Sequence, residues 1–233
     1  MTETLPLLLV PGLVCSPRIY APQLPALWRM GPVMFPNHIR DNTMAGIAKR
    51  ILDEAPKRFA LAGHSMGGYI ALEIFRQAPE RISRLGLLNT SARPETPEVT
   101  AGRHALIAET KAGGYPAIVG KLFAKFVHPA RMNDAGLKKI VMDMADDVGS
   151  ERFIAQLEAI MSRSDSRPLL ASVKCPTLVL TSDTDNMVPN EFSHEMAKAI
   201  PGAKLVVIPE CGHMTLVEKP EAVTQALLDW MRM

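Results

Sequence analysis

The chain has 233 residues, of which 47% are hydrophobic and 21% charged, so its composition predicts a globular domain large enough to bury its own core. Twenty-six basic residues against 24 acidic ones, with no basic run, exclude nucleic acid as an expected partner. Cys15, Cys175 and Cys211 lack metal-ligand spacing, and an odd, sparse set does not fit a disulfide framework. This cysteine usage is typical of the reducing cytoplasm.

The N-terminal segment predicts neither a signal peptide nor a membrane anchor. Glu3 stands where a signal peptide is basic, and the apolar run Leu7–Val10 is short and ends at Pro11. No stretch of the sequence approaches the ~20 apolar residues of a membrane span. We therefore expect a cytoplasmic protein without a membrane partner, whereas the sequence says nothing about its oligomeric state.

Short apolar runs alternate with longer segments of helical periodicity along most of the chain. This alternation predicts an α/β protein with a mostly parallel central sheet flanked by helices. Most of the runs are apolar nearly throughout, as strands buried on both faces are. The predicted strands are residues 5–10, 32–36, 59–62, 85–89, 177–181 and 204–208.

Several helix ends can also be predicted. Thr43 precedes an apolar face of helical period and is expected to be its N-cap. Asn190 is expected to cap a later helix, which ends at Pro201. Pro220 lies where the first turn of the last helix should be.

Residues 93–167 break this alternation. They contain four successive helical segments but no convincing strand. An all-helical insert between two parallel strands predicts a cap over the sheet. We therefore divide the chain into an α/β core, residues 1–92 and 168–233, and a helical cap, residues 93–167. Peripheral helices with no role in binding are the alternative.

The segment Gly63-His64-Ser65-Met66-Gly67 has the pattern Gly-x-Ser-x-Gly between a predicted strand and a predicted helix. Such a turn exposes the serine hydroxyl above the sheet, and its glycines keep side chains out of the crowded backbone. It also places the N–H of Met66 at a helix N-terminus, where it can stabilise an oxyanion. Ser65 is thus a candidate nucleophile. A glycine-rich turn with an idle serine is the alternative.

A serine nucleophile needs a base, and a base of this kind needs an acid to orient it. His213 closely follows the strand 204–208, so it belongs to the same carboxyl edge of the sheet as Ser65. Asp183 and Asp185 both follow the strand 177–181, and spacing alone does not choose between them. A second oxyanion donor is expected in the loop after the first strand, where we choose the N–H of Leu13, although a plain turn would have the same sequence.

These motifs resemble the α/β-hydrolase superfamily over nearly the whole chain. The order Ser65, Asp185, His213 matches that of the family, and the resemblance favours Asp185 over Asp183 because Pro189 follows it by four residues. The resemblance also places the family's helical cap at residues 93–167. Within the superfamily the chain is similar to small bacterial carboxylesterases, including pimeloyl-carrier-protein methyl ester esterases.

Three features depart from the family pattern. Pro11-Gly12 replaces the usual His-Gly after the first strand, and Ser182 stands where the acid loop usually has glycine. The chain also begins at the strand that is usually third, so a sheet of about six strands is expected.

The resemblance implies hydrolysis of small-molecule carboxylic esters through an acyl-enzyme, with no metal or organic cofactor. The predicted cap has 11 basic and 10 acidic residues, so it offers no strong field to select a charged ligand, and neutral esters with short to medium acyl chains are expected. Candidate substrate contacts are the apolar side chains Tyr115, Ile118, Leu122, Phe126, Met144 and Met161.

Other chemistries remain open to the same three residues. They include thioester, lactone, amide and C–C bond hydrolysis and acyl transfer to an alcohol. Family members acting on epoxides or alkyl halides use Asp as nucleophile, so Ser65 argues against those reactions. A ligand receptor that has lost turnover is the alternative from a different functional class.

Overall fold

The computed structural model of the chain describes residues 5–233, and residues 1–4, on which part of the signal-peptide prediction rests, lie outside them. Six parallel strands form the central sheet in the order β2-β1-β3-β4-β5-β6, which confirms the predicted fold. Every residue of β1, β3 and β5 is buried. The strands are β1 (Leu7–Val10), β2 (Val33–Met34), β3 (Phe59–His64), β4 (Ile82–Leu88), β5 (Thr177–Ser182) and β6 (Lys204–Ile208).

The register of the sheet brings the ends of its later strands together. His64 pairs with Leu88 at the end of β3 and β4, and Ser182 pairs with Ile208 at the end of β5 and β6. Because all strands run in one direction, the loops that follow them leave from one edge of the sheet. The candidate residues after β1, β3, β5 and β6 therefore share this edge.

Nine α-helices lie within residues 5–233, and most of their predicted ends are confirmed. The Thr43 hydroxyl accepts a hydrogen bond from the N–H of Gly46, 3.1 Å away, and Pro220 begins the last helix. The prediction that Asn190 caps its helix is wrong, because Asn190 is the first helical residue and Pro189 occupies the cap position. The helices are α1 (Leu24–Leu27), α2 (Met44–Glu54), α3 (Met66–Gln77), α4 (Pro97–Glu109), α5 (Tyr115–Phe126), α6 (Ala135–Met161), α7 (Asn190–Ala199), α8 (Thr215–Glu218) and α9 (Pro220–Arg232). Short 3-10 helices occupy Pro17–Tyr20, Trp28–Met30, Pro79–Arg81, Pro129–Arg131 and Arg167–Ser172.

Helices α4, α5 and α6 lie between β4 and β5, in a segment that we name the helical insertion (residues 93–167). Gly149 has φ +75° and interrupts α6, so the insertion contains four helical segments, as predicted. The Tyr115 hydroxyl donates to the carbonyl of Ala145, 2.8 Å away, and its ring lies against that of Phe153. The insertion thus has buried contacts of its own.

The longest of these helices is α6, which Gly149 interrupts, and it carries charged residues along its length. Within the described residues, no helix combines the length and the apolar character that crossing a membrane would require.

Candidate active site

Ser65 lies in the tight turn between β3 and α3. Its backbone has φ +54° and ψ −117°, a conformation that a residue with a side chain rarely adopts. Two hydrogen bonds to the end of β4 and the residues after it hold it there: the N–H of Ser65 donates to the carbonyl of Leu88 at 2.9 Å, and the Thr90 hydroxyl donates to the carbonyl of Ser65 at 2.8 Å. The surrounding structure therefore maintains a strained serine, which is a common feature of functional sites.

The glycines around Ser65 are required by close backbone packing. A Cβ atom on Gly67 would overlap the carbonyl of Val10, and one on Gly63 would overlap the carbonyl of Gly67. Beside the turn, a Cβ on Gly12 would lie 3.0 Å from Cβ of Ser65. The turn therefore fits against β1 and its loop only because these three positions lack side chains.

His213 and Asp185 form a buried pair at the same edge of the sheet. Nδ1 of His213 lies 2.8 Å from Oδ2 of Asp185, with 2% and 0% of the two side chains exposed. The other carboxylate oxygen accepts hydrogen bonds from the N–H groups of Met187 and Val188, at 2.8 and 2.9 Å. This fixes the carboxylate from both sides.

Burial acts to raise the pKa of Asp185, but His213 and the hydrogen-bond donors around the carboxylate outweigh it and lower the pKa below its usual range. The carboxylate is therefore ionised and can only accept hydrogen bonds. It follows that Nδ1 of His213 carries the hydrogen of the bond to Asp185, which leaves Nε2 free to accept a proton.

Asn89, directly after β4, completes the environment of this pair. Its side-chain N–H donates to Oδ2 of Asp185 at 3.0 Å and to the Ser182 hydroxyl at 3.3 Å, and its carbonyl oxygen accepts from the Thr215 hydroxyl at 2.7 Å. Asn89 is fully buried and has φ +45°, a conformation that asparagine tolerates better than most residues. The sequence analysis missed this residue, although its place at the end of a buried strand marks it.

Asp183, the other aspartate of the acid loop, is exposed and bonds to backbone instead. Its carboxylate accepts hydrogen bonds from the N–H groups of Glu210 and Cys211, at 2.9 and 3.3 Å. The Glu210 N–H is the main cause of the lowered pKa of Asp183. Asp183 thus supports the loop that leads to His213, whereas Asp185 contacts the imidazole itself.

Ser65 and His213 lie at one edge but are not hydrogen-bonded: within residues 5–233, no bond joins the Ser65 hydroxyl to the imidazole. Contacts of this kind are often long in a free enzyme and tighten with substrate. His64, next to Ser65, connects the two segments, because its Nε2–H donates to the carbonyl of His213 at 2.9 Å. Burial, and next His213, lower the pKa of His64 to about 3, so its ring is neutral.

The two candidate oxyanion donors, Leu13 and Met66, have backbone N–H groups that find no acceptor within residues 5–233. Leu13 belongs to the loop after β1, which we name the β1 loop (residues 11–16). The loop turns tightly, since the N–H of Cys15 donates to the carbonyl of Gly12 at 3.2 Å. Val14 has φ +60°, and its N–H donates to the side chain of Gln156.

Of the six candidate substrate contacts, Phe126 lies at the site: its ring is 5.8 Å from that of His213, centroid to centroid, with 29° between their planes. Tyr115 uses its hydroxyl within the insertion. The buried members Ile118, Leu122 and Met144 and the half-buried Met161 belong to the same hydrophobic core, and their contact with substrate stays a prediction.

A cavity of about 280 Å³ adjoins the β1 loop. Half of its lining residues lie in residues 35–39, which follow β2. The others come from residues 15–17 and from the middle of α6. The residues that line it are Cys15, Ser16, Pro17, Phe35, Pro36, Asn37, His38, Ile39, Asp147 and Val148. The sequence placed all six candidate substrate contacts in the insertion and did not predict this cavity, which lies mostly between segments of the core.

Metal ligands need three or more suitable side chains around one point. In the part of the chain that the structure describes, no three His, Cys, Asp or Glu side chains are arranged to hold a metal ion.

The parallel sheet, the serine turn and the residues gathered at its edge define a hydrolase of the α/β type. The chain belongs to the alpha/beta hydrolase family, whose family model matches residues 5–226. Membership confirms the predicted resemblance and makes the protein a hydrolase.

The relatives point the same way. The chain is similar to a Klebsiella pneumoniae protein named "Putative carbamate hydrolase RutD", with 33% identity over 194 residues that cover 80% of this chain and 71% of that protein. It is 25% identical to the pimeloyl-acyl-carrier protein methyl ester esterase of Aromatoleum aromaticum, over 97% of this chain and 98% of that protein. Among solved structures, a thermophilic esterase from Thermogutta terrifontis superposes with a TM-score of 0.89 at 29% identity, covering 98% of this chain and 89% of that one.

Proposed function

We propose that this hydrolase cleaves carboxylic esters of small molecules, with Ser65 as nucleophile, His213 as general base and Asp185 as the orienting acid. One observation carries the proposal: Nδ1 of His213 lies 2.8 Å from Asp185 at the sheet edge where Ser65 leaves β3 in a strained turn. An ionised acid bonded to Nδ1 of an imidazole is the arrangement that activates a serine hydroxyl.

The proposed reaction has two acyl-transfer steps. Nε2 of His213 takes the Ser65 proton as the hydroxyl oxygen attacks the ester carbonyl, and the N–H groups of Leu13 and Met66 bind the resulting oxyanion. The imidazolium, stabilised by Asp185, then protonates the leaving alcohol as the C–O bond breaks. Water, deprotonated by the same imidazole, attacks the acyl-enzyme, and the imidazolium returns this proton to Oγ of Ser65 as the acyl C–O bond breaks and the acid is released.

The proposed substrate class rests on the names of the relatives and on the size of the cavity beside the β1 loop. Two relatives are named as esterases and one as a carbamate hydrolase, and both bonds present a carbonyl carbon bearing an oxygen leaving group. A cavity of about 280 Å³ lies at the small end of ligand pockets. We therefore infer neutral esters with short to medium acyl chains, which would place their acyl group in this cavity. Carbamates are the second candidate.

We further propose that the helical insertion, residues 93–167, acts as a cap on a core formed by residues 1–92 and 168–233. Three contacts support this role. Phe126 of α5 lies against the ring of His213, and the N–H of Met214 donates to the carbonyl of Phe126 at 3.2 Å. The side chain of Gln156 in α6 accepts a hydrogen bond from Val14 in the β1 loop.

A fluorophosphonate probe tests the nucleophile. The wild-type protein should be labelled once, and Ser65→Ala should abolish labelling and lower ester turnover by on the order of 10⁶. Ser172→Ala, which changes an exposed serine of the last 3-10 helix, is the matched control and should label as the wild type does. Stoichiometric labelling of Ser65→Ala would refute the assignment.

A panel of p-nitrophenyl esters from acetate to palmitate, with aryl carbamates, lactones and thioesters beside it, tests the substrate class. The largest kcat/KM is expected for a short or medium ester, with no jump in rate above the micellar threshold of the substrate. A maximum at palmitate, or such a jump, would indicate a lipase. A carbamate turned over better than every ester would make the second candidate the function.

A further inference from the structure

Gln156 is a polar residue buried among apolar ones. It lies in the part of α6 that follows the break at Gly149, on the face that also carries Phe153, Leu157 and Ile160, and its exposed fraction is 0%. A buried amide is costly unless its oxygen and nitrogen both find partners. The partners of Gln156 lie outside the helical insertion, in the core.

The amide of Gln156 joins the insertion to two core loops. Its Oε1 accepts a hydrogen bond from the N–H of Val14 at 3.1 Å, and its Nε2 lies 3.4 Å from Nε2 of His38. Burial lowers the pKa of His38 to about 4, although the carbonyls of Gly12 and Pro36 act in the opposite direction. His38 is thus neutral at physiological pH and can accept a hydrogen bond from the amide of Gln156.

The bond to Val14 holds the β1 loop in a strained shape. Val14 has φ +60°, a conformation that is unfavourable for a β-branched side chain. The peptide group that donates to Gln156 joins Val14 to Leu13, the residue whose own N–H is the proposed oxyanion donor. If this peptide group were released, Val14 could relax to negative φ, and the change of loop shape would displace Leu13, whose N–H belongs to the preceding peptide group of the same turn.

We infer that Gln156 is a positioning residue, which holds Val14 and thereby aims the N–H of Leu13 at the oxyanion; this inference rests on the proposed function. It makes oxyanion stabilisation depend on the helical insertion being in place. A merely structural role would be to attach this helical segment to the core, and other contacts already do so. Asn42 donates to Glu158 at 2.9 Å, and the N–H of Met44 donates to the Ser162 hydroxyl at 2.9 Å, so the segment is attached to the core without Gln156.

Three variants test the inference. Gln156→Leu removes the acceptor and should lower kcat by about 10- to 100-fold with KM within about threefold, somewhat less than the loss of an oxyanion donor itself. Gln156→Glu keeps an acceptor for Val14 and should recover activity to within about fivefold of the wild type. Asn42→Ala removes a bond between the same helical segment and the core, away from the β1 loop, and is the matched control with activity close to the wild type.

Two readouts separate positioning from loss of stability. The affinity for a trifluoromethyl ketone, whose adduct with Ser65 carries an oxyanion, should fall in Gln156→Leu by the same factor as kcat/KM. Amide hydrogen exchange at Val14 should become at least about tenfold faster in Gln156→Leu and stay unchanged in Asn42→Ala.

Exchange at Val14 does not depend on ester turnover, so the two proposals can fail separately. If Ser65→Ala keeps its activity, the proposed function fails, and the exchange data still decide whether Gln156 holds the loop. If exchange at Val14 is the same in Gln156→Leu and the wild type, or if Gln156→Leu and Asn42→Ala lose equal activity, the inference is wrong. Loss of kcat without loss of inhibitor affinity would also overturn it.

Discussion

The two halves of the candidate site are held by different means. On one side, Asp185 accepts four hydrogen bonds, from His213, Asn89, Met187 and Val188, and both members of the His213–Asp185 pair are almost fully buried. On the other side, Ser65 and Val14 adopt strained backbone conformations with positive φ. The side of His213 and Asp185, the proposed acid–base half, is thus fixed by several hydrogen bonds to one carboxylate. The side of Ser65 and Val14, the proposed nucleophile half, depends on tight backbone turns with positive φ.

This difference determines what each half can tolerate. A carboxylate with several hydrogen-bond donors can lose one donor and keep the others, so the expected loss of activity depends on how many donors remain. In a close-packed backbone turn, one added atom forces the neighbouring segments apart, because the atoms that it meets are themselves held in place.

The acid should be the most sensitive member of the acid–base half. Asp185→Asn is expected to lower kcat by about 10⁴, because the amide can present a donor to Nδ1 of His213 and favour the wrong tautomer. Asp183→Asn is the matched control in the same loop and should cost far less, since Asp183 bonds to the N–H groups of Glu210 and Cys211 and to the Thr184 hydroxyl, and not to His213. Steady-state kinetics decide between them, and the reverse ranking would move the acid to Asp183.

In the nucleophile half, adding one methyl group should be enough to disturb the site. A Cβ on Gly12 would lie 3.0 Å from Cβ of Ser65 and 3.1 Å from Nδ1 of His64, so the β1 loop and the serine turn must separate by a few tenths of an ångström. Gly12→Ala is therefore expected to lower kcat by about 10², as small misplacements of reacting groups do. Gly120→Ala, in an exposed and open position of α5, should be neutral. Equal activity of the two variants would contradict this view of the turn.

Asn89 should show the graded behaviour of the acid–base half. Asn89→Ala leaves Asp185 with three of its four donors and is expected to lower kcat by about tenfold with little change in KM. The resonance of the proton between Nδ1 of His213 and Asp185 should shift in its NMR spectrum, which a loss of stability alone would not cause. Thr215→Val, which removes only the partner of the Asn89 carbonyl, should have a smaller effect. An unshifted resonance in Asn89→Ala would mean that Asn89 does not act on the pair.

The sequence predicted those parts of the molecule in which the local structure permits only a few residue types. Strands of a parallel sheet form short apolar runs, most clearly where they are buried on both faces, and all six strands were found, although β2 proved to be only Val33–Met34. The serine turn was found because its glycines are sterically required. The helix end at Asn190 was predicted wrongly, since either Asn190 or Pro189 fits the start of a helix.

Asn89 and Gln156 were missed because their partners are distant in the chain: Asn89 bonds to Asp185 and Gln156 to Val14. A single sequence does not show which polar residues meet across the fold. One local signal was present for Gln156: it lies on an otherwise apolar helical stripe, where a polar residue indicates a buried hydrogen-bond partner. The cavity beside residues 35–39 gave no such signal, because its wall combines three separate segments.

The smallest expected effect concerns this cavity and the length of the acyl chain. Ile39 is a half-buried residue of its wall, and Ile39→Ala should lengthen the space available to substrate. Each additional methylene that becomes buried contributes about 0.8 kcal/mol, so kcat/KM should rise about three- to fourfold per added carbon until the enlarged cavity is full. The optimum should therefore move by about one or two carbons toward longer p-nitrophenyl esters, while the rate with acetate stays within about twofold.

The matched control is Ile140→Ala, which removes the same atoms from a partly exposed site on α6, away from the cavity. It should leave the chain-length profile unchanged. Because Ile39 lies outside the hydrogen-bond network of Asp185, its replacement should change the profile without lowering kcat for the best substrate. If Ile39→Ala and Ile140→Ala give the same profile, the acyl chain binds elsewhere. The apolar residues of the insertion around Phe126 would then be the first to test, with Leu122→Ala in the same series.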